Sequence, residues 1–287
     1  MTYLKHLPQI RFHPILLIFV VISFLTGTFV ELFIIMTIVL IHELGHYFMA
    51  RRLNWRVESI TLWAFGGVLK TDEHSSKPMK EEAFVVLMGP LQHIWIYGVT
   101  QLIMMMNILP ASMLELVLFY NTTILIFNML PIWPLDGGKL LLFGLSLLFP
   151  FKRAYQLMII SSICISLLII IGQFFIFPFT LSLILILLFL IIENHTEWKR
   201  RYYVFIRFLL NRYEGKTPIR GIQPLIVPSH YSLMDIFLLF HREIKHPIYI
   251  IEGKYKRKAI DETECLHYYF TEKKYQQTIG DLVKDVV

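Results

Sequence analysis

Apolar positions fill most of the chain up to residue 192 and come in runs of the length a bilayer core demands, about 20 residues for a helix. The first run extends from Ile10 to Phe29, with Arg11 and His13 near its start, where long side chains can reach the headgroups. Thr26-Gly27-Thr28 makes a tight connection to a second run, from Leu32 through Ala50. A third covers Ala83 to Met106, a fourth begins near Met113, a fifth covers Ala154 to Gly172 and a sixth Phe174 to Ile192, the last two joined around Phe175 to Pro178. Between the second and third runs the period changes. Val57, Ser59, Thr61 and Trp63 alternate with Glu58, Ile60, Leu62 and Ala64 before Gly66-Gly67, the signature of a two-strand hairpin too short to span as a helix. It reads first as a surface hairpin; the alternative is a hairpin dipping into the membrane, with a free edge able to pair with an extended peptide.

Composition agrees: of 287 residues, 56% are hydrophobic and 17% charged, which excludes a soluble globular protein. The net charge of +6 comes from basic residues beside the apolar runs, which indicates membrane orientation and no nucleic-acid partner. Lys5, Arg11, Arg51, Arg52, Lys77, Lys80, Lys139, Lys152, Arg153 and Lys199 to Arg201 all fall on one side of a six-span arrangement, so both termini are expected in the cytoplasm. The first run continues past Lys5 and Arg11 without a small-residue cleavage site, so no cleavable signal peptide is expected. Cys164 lies in an apolar run and Cys265 in the polar tail, which implies no disulfide.

After Trp198 the pattern turns mixed. Lys199 to Arg212 interleaves basic residues with Tyr202, Tyr203, Phe205 and Phe208, as in a helix lying at the membrane interface; a stop-transfer flank accounts for the first three charges equally well. From Ile222 onward strand-like LIV and PIYII alternate with helix-like SLMDIFLLFHRE and TECLHYYF. The expected organisation is therefore an α-helical polytopic membrane domain of about six transmembrane helices with a short β-hairpin (1–195), a juxtamembrane segment (196–221) and a small cytosolic α/β module (222–287). A module of about 65 residues is marginal alone, so pairing with a second copy, a homo-oligomer through the tail, is expected.

Three polar residues break the second run: His42, Glu43 and His46, in the order H-E-x-x-H. At 3.6 residues per turn the two imidazoles leave one face one turn apart and can reach a single metal ion, with Glu43 beside them as base for an activated water. A carboxylate in an apolar span is costly, about 2.5–3.5 kcal/mol on insertion scales, and a zinc site gives it a reason to be there. The third ligand must come from elsewhere. The fourth run contains Asn121 and then N-M-L-P-I-W-P-L-D-G-G, Asn128 to Gly138, where two prolines and two glycines break the helix around Asp136. Asp136 is the best available third ligand, ahead of Glu31, Glu115 and Glu193 near helix ends. Asn128 is a candidate donor to the developing oxyanion and Pro134 a candidate substrate contact. In the third run Gly89-Pro90 permits close helix approach, and His93 reads as a hydrogen-bonded packing residue rather than a ligand.

H-E-L-G-H at His42 to His46, the Gly-Gly hairpin, Gly89-Pro90 and N-x-x-P-x-x-P-x-D-G-G at Asn128 to Gly138 together resemble the site-2 protease family of intramembrane zinc metalloproteases over about residues 10 to 192. Six spans followed by one tail module resemble its sporulation branch. That resemblance implies a zinc endopeptidase removing the pro-sequence of a sigma-factor precursor, sigma-K. It further implies membrane proteins that inhibit it, a membrane around the forespore facing the mother cell, and a tail similar to a single CBS domain with ATP as a regulatory ligand. The tail lacks a clean Gly-plus-Thr-x-x-Asp nucleotide signature. The competing class is an ion transporter or channel using the same His, Glu and Asp, but such proteins show paired broken helices and here one break, at Asp136, has no counterpart in the first half. A catalytically dead scaffold is a third reading, against which a buried Glu43 argues.

Overall fold

The computed structural model describes residues 9–12, 14–63, 66–71, 77–175, 180–252 and 256–284. The chain divides into two compact units: Met1–His74 with Lys80–Leu140 and Leu181–Ile186, and Ser75–Met79 with Leu141–Thr180 and Leu187–Val287.

In the first unit, strand β1 (Gln9–Phe12) precedes helix α1 (Pro14–Thr26) and helix α2 (Phe29–Arg52). The single long helix expected from Ile10 to Phe29 is therefore a strand and a 13-residue helix, about 20 Å long at 1.5 Å per residue and shorter than the five helices of full spanning length among the described residues. Strand pairing decides this: β1 runs parallel to β2 (Val57–Trp63), Ile10 opposite Ile60, which takes Gln9–Phe12 out of the helix. α2 ends where Asn54 takes a left-handed φ of 58°, its N–H returning to the Arg51 carbonyl, while Arg51 and Arg52 complement the negative helix terminus. β2 pairs antiparallel with β3 (Gly66–Thr71), giving the expected hairpin within a three-stranded sheet β1-β2-β3. Residues 64–65, where the alternation ends, lie outside the described residues. Ser59 and Ile60 are both buried. Helices α3 (Met79–Met105) and α4 (Ala111–Asn128) follow, and after the break α5 (Asp136–Leu148) opens with Asp136 in its first turn.

In the second unit, α6 (Phe151–Phe175) and, from Leu187 on, α7 (Leu181–Tyr213) carry most of the last two apolar runs. Most of the connection expected at Phe175 to Pro178 falls outside the described residues. α7 continues the last span without a break through Lys199–Arg212, so the segment read as an interfacial helix is the end of a 33-residue helix, about 50 Å long. Beyond it come β4 (Gly221–Ile222), β5 (Leu225–Pro228), α8 (Leu233–Phe237), β6 (Ile244–Lys245), β7 (Ile248–Glu252), β8 (Lys256–Ile260), α9 (Glu262–Phe270) and α10 (Ile279–Lys284). β4 pairs parallel with β6; β5 lies parallel to β7, which is antiparallel to β8. The helix expected over SLMDIFLLFHRE is one capped turn, Ser232 and Asp235 forming a reciprocal capping box before the chain turns back at Leu238. Phe205, Phe208 and Leu209 of α7 and Phe151 of α6 are buried in one core with Val227, Ile236, Phe237, Ile248 and Leu266. The tail thus completes its core inside the chain. Arg212 ties α7 to the tail within the second unit, its guanidinium 2.6 and 2.9 Å from the Glu262 carboxylate and donating to the carbonyls of His241 and Ile244.

His246 is fully buried beside that pair: its Nδ1–H donates to the Gln223 carbonyl at 2.9 Å and its Nε2 accepts the His241 backbone N–H at 2.9 Å. Both nitrogens are committed to the neutral ring. Burial lowers the His246 pKa below its ordinary value of 6.5, helped by Arg212 and His241 and opposed by Gln223 and Glu262; burial lowers His241 as well. The unfolded chain therefore takes up these protons first, so tail stability is complete above about pH 6.5 and falls as the pH drops below it. Hydrogen exchange on the full-length protein should show tail peptides exchanging faster at pH 5.5 than at pH 7.5, with the difference reduced in His246→Gln.

Candidate metal centre

The inward face of α2 carries Ile34, Ile38, His42 and His46, one turn apart, all buried. Glu43 is buried on the adjacent stripe. Across from them, α5 begins at Asp136 because Pro131 and Pro134 cannot continue α4 and bias the residues before them away from helical geometry. At the helix N-terminus the carboxylate also faces the positive end of the α5 dipole. The result is a buried trio. His42 Nε2 lies 3.0 Å from His46 Nε2, and Asp136 Oδ2 lies 3.1 Å from each. Among the described residues this is the group of His, Cys, Asp and Glu donors that can hold a metal ion.

The remaining atoms of the three side chains are turned outward to fixed partners. His46 Nδ1 is 2.8 Å from the Val85 carbonyl, which can only accept, so the proton is on Nδ1 and Nε2 presents its lone pair to the trio. His42 Nδ1 is 3.0 Å from His93 Nε2. Asp136 Oδ1 holds the Lys139 ammonium at 3.0 Å, while Oδ2, buried among the two imidazoles, has no hydrogen-bond donor. A buried carboxylate oxygen without a donor, facing imidazole nitrogens, fits a cation between them.

Two glycines make the packing possible. A Cβ built on Gly89 would collide with the imidazoles of His46 and His42, so α3 passes the trio at backbone distance. A Cβ on Gly67 would collide with the Glu43 side chain. The hairpin therefore lies against Glu43, and the surface reading of it gives way to the one that places it beside the site; a bare backbone is the only surface that fits there.

Asn128 donates its amide to the Ile124 carbonyl of its own helix at 3.1 Å, and Pro134 follows a cis peptide bond from Trp133. Lys139, one of the basic residues that the sequence reading places on the cytoplasmic side, pairs with Asp136 and is 31% exposed. Its three-residue spacing from Asp136 in a helix was the available signal. His93, read as a packing residue, contacts His42 and Asn121. Glu31 and Glu115 lie outside the trio.

Five helices among the described residues are long and apolar enough to cross a membrane, and in the first unit a His-Glu-x-x-His helix meets an aspartate from a broken one. That combination defines a membrane-embedded metallopeptidase. The model of Peptidase family M50 matches residues 30–109. The chain is 38% identical over 276 residues to Stage IV sporulation protein FB of Bacillus subtilis, covering 96% of both, and 28% identical over 224 residues to Zinc metalloprotease MJ0392 of Methanocaldococcus jannaschii, covering 76% of this chain and 63% of that protein. The fold matches the structure titled Site-2 Protease from Methanocaldococcus jannaschii with a TM-score of 0.54 at 24% identity, over 66% of this chain and 89% of that one. The chain belongs to the M50, site-2 protease family, a multi-pass membrane zinc metalloendopeptidase, and the ion-path reading is set aside.

Proposed function

We propose that His42, His46 and Asp136 hold the zinc, that Glu43 is the general base, and that the enzyme removes the pro-sequence of a membrane-associated sigma-factor precursor, sigma-K, during sporulation. The observation that carries the site is the undonated Asp136 Oδ2 between two imidazole nitrogens. Zinc supplies a Lewis acid that polarises the scissile carbonyl and makes water nucleophilic near neutral pH. Glu43, one residue from His42 and covered by the Gly67 backbone, takes the proton from the attacking water and returns it to the leaving amine. Lys139 offsets the Asp136 charge and leaves one carboxylate oxygen for the ion. β3 is the terminal strand of its sheet among the described residues, and its free edge can take an unwound substrate as an added strand next to Glu43. Asn128 and Pro134, in and beyond the end of α4, are proposed substrate contacts once Asn128 leaves the Ile124 carbonyl.

The sporulation reading is supported by the likeness to Stage IV sporulation protein FB over nearly the whole chain. With it go a membrane surrounding the forespore, inhibitory membrane partners, six crossings with α1 as the shortest, and cytoplasmic termini. The same reading divides the chain into a protease domain (1–195), a juxtamembrane segment (196–221) and a CBS-like tail (222–287) open to ATP and to pairing with a second copy. The tail's order β5-α8-β6-β7-β8-α9 supports its α/β character, and exposed Ile222, Ile226 and Ile251 offer apolar surface for pairing.

The test is co-expression with a membrane-tethered sigma-K precursor in a host lacking both. The expected result is a shortened sigma factor whose new N-terminus maps to the end of the pro-sequence, abolished by a zinc chelator. An intact precursor, with a generic helical membrane substrate cut in the same cells, would overturn the sigma assignment and leave the protease.

A further inference from the structure

We infer that His93 and Asn121 are positioning residues that fix the tautomer of His42, so that the proton of this imidazole is held away from the zinc; this rests on the reading of His42 as a zinc ligand. The argument starts at a backbone carbonyl. Asn121 Nδ2 is 3.1 Å from the carbonyl of His93, which can only accept, so the amide nitrogen must face it. The Asn121 oxygen is thereby turned to His93 Nδ1 at 2.8 Å, and as an acceptor it requires the proton on that nitrogen. His93 Nε2 then carries a lone pair. It lies 3.0 Å from His42 Nδ1, which must be the donor. With its proton on Nδ1, His42 has its lone pair on Nε2, the atom 3.1 Å from Asp136 Oδ2 and 3.0 Å from His46 Nε2.

Each link is set by the one before it, and His93 and Asn121 are 1% and 3% exposed, so water offers little competition. The two ligating histidines thus reach the same state by different means. His46 is fixed directly by the Val85 carbonyl, and His42 by a side-chain relay that begins at the His93 carbonyl. Both come from one face of α3. Val85, Gly89 and His93 stand four residues apart, and Gly89 lets the stripe approach the imidazoles closely enough for both bonds. Asn121, one of two buried residues of α4, ties that helix to the same relay. A hydrogen-bond partner behind a metal-bound imidazole raises its basicity and holds its ring plane, and losing one typically costs 10- to 100-fold in metal affinity.

The experiment measures equilibrium zinc affinity of the purified full-length protein in detergent, by competition with a chromophoric chelator, together with the visible spectrum of the cobalt-substituted form. His93→Phe and Asn121→Leu should each weaken zinc binding by about 10- to 100-fold and shift the cobalt bands. His93→Gln, whose amide can accept from His42 and donate to Asn121, should recover most of the affinity. Asp136→Ala separates the inference from the reading beneath it: if that variant keeps full zinc affinity, the ligand assignment fails. If Asp136→Ala loses zinc while His93→Phe and Asn121→Leu bind as tightly as the unaltered protein, the relay is overturned. Equal losses in His93→Phe and His93→Gln would also overturn it, since loss of shape rather than of the acceptor would then be the cause.

Discussion

Glu43→Gln is expected to bind about one zinc per chain and to cleave its substrate about 10²- to 10⁴-fold more slowly. In barrier terms this is about 3–5 kcal/mol. The amide matches the carboxylate in shape, so the Gly67 backbone that covers this side chain keeps its seat and the sheet stays in place. Glu43 is also outside the trio of donors, so metal content should not change. What the amide cannot do is accept a proton and hand it on. Zinc content by atomic emission and initial cleavage rate on the same preparation decide the matter: loss of zinc would make Glu43 a ligand, and unchanged cleavage would remove it from the chemistry.

Asp136→Ala is expected to lose both properties together, with zinc falling to background and cleavage becoming undetectable. Two imidazoles alone make a weak site, because the anionic donor that offsets the dication is gone. Folding should survive. Removing Asp136 leaves the Lys139 ammonium without its partner, but that side chain is 31% exposed and can turn to water, so the large penalty of a sealed, unpaired charge does not arise. Thermal unfolding in detergent, followed with and without added zinc, separates the outcomes: the unaltered protein should be stabilised by the metal and the variant should not. Retention of tight zinc binding in a folded Asp136→Ala protein would point to a different third ligand.

These two residues also mark the boundary between what was legible along the chain and what was not. Five helices of spanning length, the His-Glu-x-x-His helix and the break at Asp136 could be read directly, because apolar run length, helical period and proline chemistry are local properties. Alternation and Gly66-Gly67 announced a hairpin for the same reason. The strand at Gln9–Phe12 was hidden, since its pairing with β2 is a contact between segments about 50 positions apart and an apolar stretch looks the same in either conformation. The tail's dependence on α6 and α7 was equally hidden: Phe205 and Phe208 suit a membrane interface as well as a core, and only packing chose the core.

The sequence by itself determined the class of protein, the candidate donors His42, His46 and Asp136 with Glu43 as candidate base, and the helix break before Asp136. Only the tertiary structure decided that Gly67 rests on Glu43, that Lys139 pairs with Asp136, and that His93 and Asn121 stand behind His42. The physical reason is directionality. Burial of apolar surface depends on how much is covered and leaves a trace in composition and period, whereas a hydrogen bond or ion pair depends on where two particular atoms meet, which no single segment specifies.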